Sequence, residues 1–439
     1  MEQENMEAPT AMETRFEEPQ DVEKEPKVNK MLTLGTRTLS MGKDPTWGMR
    51  GLIKFIGVMI GLSTSMNLNF VFLLALMAPI LIKMDAFLHI FVFIFFFFML
   101  IPVVILLFYT PMITWLTSLG LILQGSTYLL LLLVTYTASE STGKALYFAV
   151  GGFLGFFSGL TLITSNCLVS CSPLEHHTYI NFGSSLGGCL PLLFVFLFKS
   201  LLNVRRIPIE TYDEILLTYA TVASIVGAFS ILSGILSIIY LRLQYIKDHF
   251  KTLVDTFNPK VTFGAALEVA KKHWAVSIMV VLNVLVRYLV YPSIIPNLVT
   301  ASVETKLYMI AIMPLIDTVT RLSVIVINAR FMAERVRSFF WLTVVNILPI
   351  VYFFFSPKYK KHTFLFNPGY NVGILVFFAL LNTHVVILGR KLFLEGEKKE
   401  TAIEDCKAQI SAFGVISALE CSAAAGGALL SSIIVGYLY

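Results

Sequence analysis

Long apolar runs alternate with short polar breaks along most of this chain. Eleven runs approach about 20 residues, the length at which a helix crosses a bilayer. They predict membrane spans near residues 53–81, 86–108, 112–137, 145–170, 178–199, 215–241, 274–297, 307–328, 338–356, 370–389 and 408–437. The first run is longer than a bilayer requires, so we expect either a tilted helix or a break near its central polar cluster.

The longest internal connection, residues 242–273, divides the spans into six and five. Its apolar residues recur at helical spacing with lysines between them, which predicts a helix on the cytoplasmic membrane surface with lysines toward anionic headgroups. A solvated linker with an accidental apolar stripe is the alternative. The predicted units are a disordered cytoplasmic tail (1–50), an N-terminal six-helix bundle (51–241), an amphipathic linker (242–273) and a C-terminal five-helix bundle (274–439).

Composition strengthens this interpretation. Of the 439 residues, 56% are apolar and only 14% are charged, whereas soluble domains carry about 25% charged residues. With the N-terminus in the cytoplasm, the inside segments hold 22 of the 33 basic residues and the outside connections hold nine. Because basic residues favour the cytoplasmic side, we expect a polytopic all-α membrane protein with a cytoplasmic N-terminus and an external C-terminus.

Two charged residues lie within the apolar run "AIMPLIDTVTRLSVIVIN". Asp317 and Arg321 are four positions apart and therefore share one helix face. They could form a local ion pair, or the donors left over on the guanidinium could bind a second helix, water or a polar ligand. Arg287, in the preceding run, could share Asp317 or extend to a membrane surface.

Other polar residues stand in predicted spans: Asn67 in "STSMNLNF", Asn166 in "TSNCLVSCS", and Asn382 with His384 in "LLNTHVVILG". Each could join helices or line a polar path. Small residues at four-residue spacing let helices approach closely. The glycines predicted to serve helix packing in this way are Gly151, Gly155, Gly159, Gly183 and Gly187.

Over residues 50 to 439 the chain resembles the equilibrative nucleoside transporter family, whose members have eleven spans in a six-plus-five arrangement. The matching features are the spacing D-x-x-x-R at Asp317 and Arg321, "YPSI" at 291–294, "KKHWAVS", the glycines of "NFGSSLGG" and Asn382 in the tenth span.

The chain also departs from the family pattern. Where the first span of the family reads P-W-N, this chain has Ser65, Met66 and Asn67. Pro314 and Thr320 stand where the family often has asparagine and glycine. The chain therefore resembles a divergent member.

The resemblance implies two helical bundles of the major-facilitator type that carry nucleosides or nucleobases by alternating access. It assigns Asp317 and Arg321 to the ribose hydroxyls. Met66 and Asn67 are candidates for contact with the base. Asn166 and Asn382 are further candidate substrate ligands, while Arg287 and His384 are candidate supporting or gating residues.

We expect facilitative transport by a monomer in the plasma membrane, in contact with lipid and a small solute but not with nucleic acid. The alternative is a major-facilitator-type transporter of another small polar solute, with proton coupling open. The chain has no histidine-rich box or H-E-x-x-H motif, so we predict neither an enzyme nor a bound metal or cofactor.

Overall fold

Long helices make up nearly all of the residues that the computed structural model describes. It describes residues 31–34, 37–40, 47–82, 87–108, 115–137, 140–171, 174–190, 193–194, 196–197, 200, 212–248, 250, 263–291, 303–326, 341–348, 368–395 and 402–438. Two strands come first, β1 (Met31–Leu34) and β2 (Arg37–Ser40). The helices are α1 (Trp47–Ile82), α2 (Phe87–Phe108), α3 (Trp115–Thr137), α4 (Glu140–Cys171), α5 (Leu174–Gly187), α6 (Tyr212–Arg242), α7 (Phe263–Lys272), α8 (Trp274–Val290), α9 (Val303–Val326), α10 (Pro368–Glu395) and α11 (Ala402–Leu438). Residues 341–348 are also helical.

The N-terminal region differs from its prediction as a tail without secondary structure. Strands β1 and β2 pair antiparallel, with Met31 opposite Ser40. The first helix then begins at Trp47, within the segment assigned to the tail. The rest of the tail lies outside the described residues.

The apolar runs become helices close to their predicted bounds. Helix α1 is continuous over 36 residues, about 54 Å at 1.5 Å per residue, so the central polar cluster does not break it. Helix α8 ends at Val290, earlier than the predicted 297. The reason is Pro292, which disfavours helical backbone at the residue before it; Tyr291 is accordingly extended, at φ −122° and ψ 139°.

Helices α1 to α6 contact one another extensively, as do α8 to α11. Glycines bring some pairs unusually close within the first group. A Cβ on Gly155 or Gly159 of α4 would lie 2.1 or 2.2 Å from a backbone carbonyl oxygen of α2. Gly61 of α1 and Gly183 of α5 meet the partner's backbone in the same way, at 1.9 and 2.1 Å. Such contacts exclude any side chain, so these two pairs of helices are joined backbone to backbone.

The two groups meet where α2 packs against α11 and where α1 and α5 contact α9. Among the described residues, seven helices are long and apolar enough to cross a membrane, and two shorter apolar helices cover Trp274–Val290 and Tyr308–Thr320. Large apolar side chains such as Leu133 and Phe153 are more than half exposed on the outer surface, which suits a lipid environment. The predicted fifth and ninth spans lie only partly within the described residues.

The start of the predicted linker is helical at residues 244–248. Ile246, placed in the apolar stripe of a membrane-surface helix, is instead fully buried in a cluster with Ile53, Leu168 and Tyr240. Residues 251–262 lie outside the described part of the chain.

Candidate functional site

A cavity of about 100 Å³ lies between the two groups of helices. Helices α1 and α5 supply one wall with neutral side chains, and α8, α9 and α10 supply the opposite wall, which carries the charges. Its lining consists of Ser65, Leu68, Asn69, Phe72, Ser184, Gly188, Arg287, Tyr288, Tyr291, Pro314, Asp317, Thr318, Thr383, Val386, Ile387 and Arg390. The cavity therefore has one wall from each group of helices.

Asp317 is held in this cavity by two other helices. Arg287 of α8 donates to both carboxylate oxygens, Nη1 to Oδ1 at 3.1 Å and Nη2 to Oδ2 at 2.7 Å. The hydroxyl of Thr383 on α10 donates to Oδ1. A bidentate ion pair fixes the plane of the carboxylate as well as its position, so Asp317 enters the cavity in one orientation.

Of the two alternatives for Arg287, the structure shows the shared ion pair rather than extension to a surface. Its side chain is only 13% exposed, and its Nε is buried without a hydrogen-bond partner. Arg321 lies on α9 one turn beyond Asp317, and its side chain is outside the described residues.

Pro314 changes the backbone of α9 within the cavity wall. Proline has no N–H, so the carbonyl of Ile310 loses the donor that a helix normally supplies from four residues ahead. The hydroxyl of Tyr291 donates to that carbonyl oxygen at 2.6 Å. Tyr291 thus completes the hydrogen bonding of α9 from the end of α8.

The same stretch of α9 contacts the N-terminal half. The hydroxyl of Thr318 donates to the carbonyl oxygen of Ser185, at 2.6 Å. A Cβ on Gly188 would lie 2.3 Å from Thr318 Oγ1 and 2.6 Å from the Pro314 carbonyl oxygen. The halves touch here because residue 188 has no side chain.

A second ion pair borders the cavity. Arg390 of α10 donates through Nε and Nη2 to the two carboxylate oxygens of Glu420 on α11. The side chain of Glu420 is 8% exposed and that of Arg390 is 31% exposed.

Sequence reasoning missed this pair because it counted Arg390 in a polar connection after the tenth span. The signal was present in the eleventh predicted span, where Glu420 is an acidic residue that needs a partner. Helix α10 continues to Glu395 and so carries Arg390 within it.

Met66 and Asn67 lie away from the cavity. Met66 is 3% exposed in the main apolar core. Asn67 is fully buried, and its Nδ2 donates to Gln124 Oε1 at 3.0 Å and to Ser230 Oγ at 2.9 Å. The neighbouring polar positions of α1, Ser65 and Asn69, line the cavity instead.

The other polar candidates are also placed elsewhere. Asn382 donates to the backbone oxygen of Asn283 at 2.7 Å. Asn166 donates to Leu162 of its own helix, and His384 is partly buried. None of these three is among the described residues that line the cavity, and their contact with substrate stays a prediction. No described group of three or more His, Cys, Asp or Glu side chains is arranged to hold a metal ion.

Comparison with solved structures relates the whole architecture to transporters. A bacterial homologue of the human lysosomal transporter Spinster, inward-facing and occupied, superposes with a TM-score of 0.54 at 14% identity, over 89% of this chain and 82% of that chain. The nucleoside transporter NupG superposes with a TM-score of 0.52 at 12% identity, over 88% of this chain and 90% of that chain. A D-xylose–proton symporter superposes with a TM-score of 0.51 at 11% identity, over 87% of this chain and 88% of that chain.

No family model matches the sequence, and no curated protein matches it. At such identities the likeness establishes the fold. The predicted all-α polytopic fold with major-facilitator-like two-bundle architecture is confirmed.

Proposed function

We propose that this chain moves nucleosides, or their free bases, across a membrane by alternating access at the cavity around Asp317. The observation that carries the proposal is a single carboxylate, fixed by Arg287 and Thr383, facing a cavity at the junction of two helical bundles. An ionised group in a membrane helix is costly and normally serves a polar path or partner. The resemblance at Asp317 and Arg321 supplies the solute class.

The polar end of the cavity suits vicinal hydroxyls. An ionised acceptor such as Asp317 binds a hydroxyl more strongly than a neutral acceptor does. Arg287 and Thr383 already supply three of the hydrogen bonds that the about four acceptor positions of a carboxylate allow, so a ribose hydroxyl that binds Asp317 takes the place of one of these donors. Because Asp317 already has a fixed plane, little ordering remains to be done when a ribose binds. Ser65 and Thr318 add hydroxyls nearby.

The aromatic part of the cavity suits a planar base. Phe72 lies with its ring centroid 6.2 Å from that of Tyr288 and 6.2 Å from that of Tyr291. Faces and edges of such rings bind flat π systems. NupG, one of the proteins of similar fold, is a nucleoside transporter, which agrees with the proposed solute class.

The cavity is smaller than the about 300–1,000 Å³ of most ligand sites, so a nucleoside enters only when the halves separate. The contact of Gly188 with α9 is one place where they part. We take transport to be facilitative, by a monomer in the plasma membrane with its N-terminus in the cytoplasm, as the distribution of basic residues predicts.

The test is uptake of labelled adenosine, uridine and hypoxanthine by vesicles that contain the purified chain. Asp317→Asn is compared with Ser422→Ala, a control on an exposed face of α11 whose hydroxyl bonds only its own helix. Saturable uptake by the parent and the control, with loss in Asp317→Asn, supports the proposal. A parent that transports none of the three solutes contradicts it and favours another polar solute. Strong stimulation by an inward proton gradient at zero membrane potential indicates proton coupling instead of facilitated transport.

A further inference from the structure

Within the described part of the chain, the second ion pair leaves one nitrogen of its arginine without an acceptor. Arg390 binds Glu420 through Nε and Nη2, and the contacts of the described residues give its Nη1 no acceptor. A guanidinium has five N–H donors and cannot lose its charge. Arg390 also lines the cavity and keeps 31% of its side chain exposed. Arg390 therefore brings a guanidinium, which can only donate hydrogen bonds, to the wall of the cavity.

Charge balance bears on what that guanidinium can bind. Arg287 is neutralised by Asp317, and Arg390 is neutralised by Glu420. Among the described side chains, the two pairs leave no net charge at the cavity. Because Glu420 already neutralises Arg390, the remaining donor of this guanidinium does not need an anionic ligand, and a neutral acceptor such as a carbonyl oxygen suits it.

Position on α10 separates this donor from the proposed ribose end. Thr383, Val386, Ile387 and Arg390 recur at helical spacing and line the cavity together. Arg390 comes seven positions after Thr383, which is about two turns or about 10 Å along the axis. A nucleoside that places its ribose against Asp317 and Thr383 is long enough for its base to extend toward Arg390.

We propose that Arg390 determines specificity by donating from Nη1 to a ring carbonyl of the base, so that bases with a carbonyl are preferred over bases with an amino group at that position. This rests on the proposed function. Inosine and adenosine make the sharpest pair, because both are purine nucleosides and differ at C6, a carbonyl in one and an amino group in the other. An amino group facing Arg390 sets donor against donor, and an unmatched buried donor is costly. Glu420 is the positioning residue, because it accepts from Nε and Nη2 and so orients the guanidinium of Arg390.

The test measures initial uptake of labelled inosine and adenosine in one vesicle preparation and compares their kcat/KM values. The parent is expected to favour inosine by about tenfold, the usual worth of one hydrogen bond to a charged donor. The double variant Arg390→Met, Glu420→Gln removes the donor and both charges together, so neither partner stays buried and unpaired. Its inosine-to-adenosine ratio of kcat/KM is expected to fall to about one.

Several results would overturn the inference while the proposed function stands. They are a parent ratio near one, a tenfold ratio that persists in the double variant, and equal loss of both solutes in a correctly folded double variant. If the double variant does not fold, the Arg390→Lys variant tests the inference instead. Lysine keeps the positive charge opposite Glu420 but lacks the planar guanidinium group with its several N–H donors. A ratio that falls toward one supports the proposal, and an unchanged ratio contradicts it. A parent that transports no nucleoside overturns both proposals.

Discussion

The polar cluster around Asn67 and the one around Asp317 both lie among apolar helices, yet they differ in charge and in place. Asn67 bonds neutral partners, Gln124 and Ser230, inside the first group of helices. Asp317 bonds a cation, Arg287, and faces the cavity at the junction between the groups. The neutral cluster joins α1, α3 and α6 within one half, where the helices can stay together. The charged cluster lies in the wall of the cavity between the two groups of helices. We therefore propose the charged cluster at the junction, and not the neutral one, as the solute site.

The largest effect that separates the two clusters is expected from Asp317→Asn. It leaves the Arg287 guanidinium buried without its counter-ion, and breaking a buried pair from one side costs about 3–5 kcal/mol. Uptake and thermal stability should both fall. The double variant Arg287→Gln, Asp317→Asn should regain most of the stability, because neither charge is left unpaired, but not the uptake. Recovery of transport in the double variant would mean that the pair only holds helices together.

Gly188→Val is the next test, directed at the boundary itself. A side chain there meets Thr318 and the backbone of Pro314, so the halves cannot close along this contact. We expect uptake to fall at least tenfold and a cysteine placed at Ser184 to react faster with a membrane-impermeant thiol reagent. Gly373→Val is the matched control, since a Cβ at Gly373 has no described atom within 4 Å. Equal loss in both variants would point to a general fault in folding.

Asn67→Ala tests the neutral cluster and should act on stability rather than on solute binding. Interhelical hydrogen bonds in membranes are worth about 0.6 kcal/mol on average, so the loss of two should cost about 1 kcal/mol. The melting temperature should fall slightly while KM for the transported solute stays within about twofold. A large rise in KM with unchanged stability would instead indicate that Asn67 contacts the substrate.

The smallest effect is expected from Thr318→Val, which keeps shape but removes the bond to Ser185 across the halves. One such bond is worth about 1 kcal/mol, which is about a fivefold shift between the closed and open forms of this contact. Thiol reactivity at position 184 should rise by that factor, and the melting temperature should stay nearly constant. No change in reactivity would mean that this bond does not hold the contact.

The helices were predictable because an apolar run of bilayer length has one stable solution, a helix. Which of the polar residues line one cavity was harder to predict from the sequence. Asn67 and Asn69 are two positions apart, hence about 200° around the axis of α1, and only Asn69 lines the cavity. Sequence spacing defines the angle between them but not which one faces the junction. Asp317 was identifiable because a carboxylate in a membrane helix is costly wherever it faces.

Arg390 and Glu420 illustrate the opposite difficulty. Hydropathy locates the end of an apolar run, and Arg390 comes directly after such a run, so it was counted with the polar connection. The helix continues for another turn, and there the arginine meets an acid from α11. A pair made from residues 30 positions apart becomes evident only when the helices are placed side by side.

The bond from Tyr291 to the Ile310 carbonyl has a consequence for motion. A helix normally carries its own complete set of backbone hydrogen bonds and can travel independently. Here one acceptor of α9 is satisfied by the residue that terminates α8, so separating the two would strand a carbonyl in a water-poor interior. The Arg287–Asp317 pair resists the same separation. Helices α8 and α9 should therefore move as one rigid unit that carries the carboxylate of Asp317 with it.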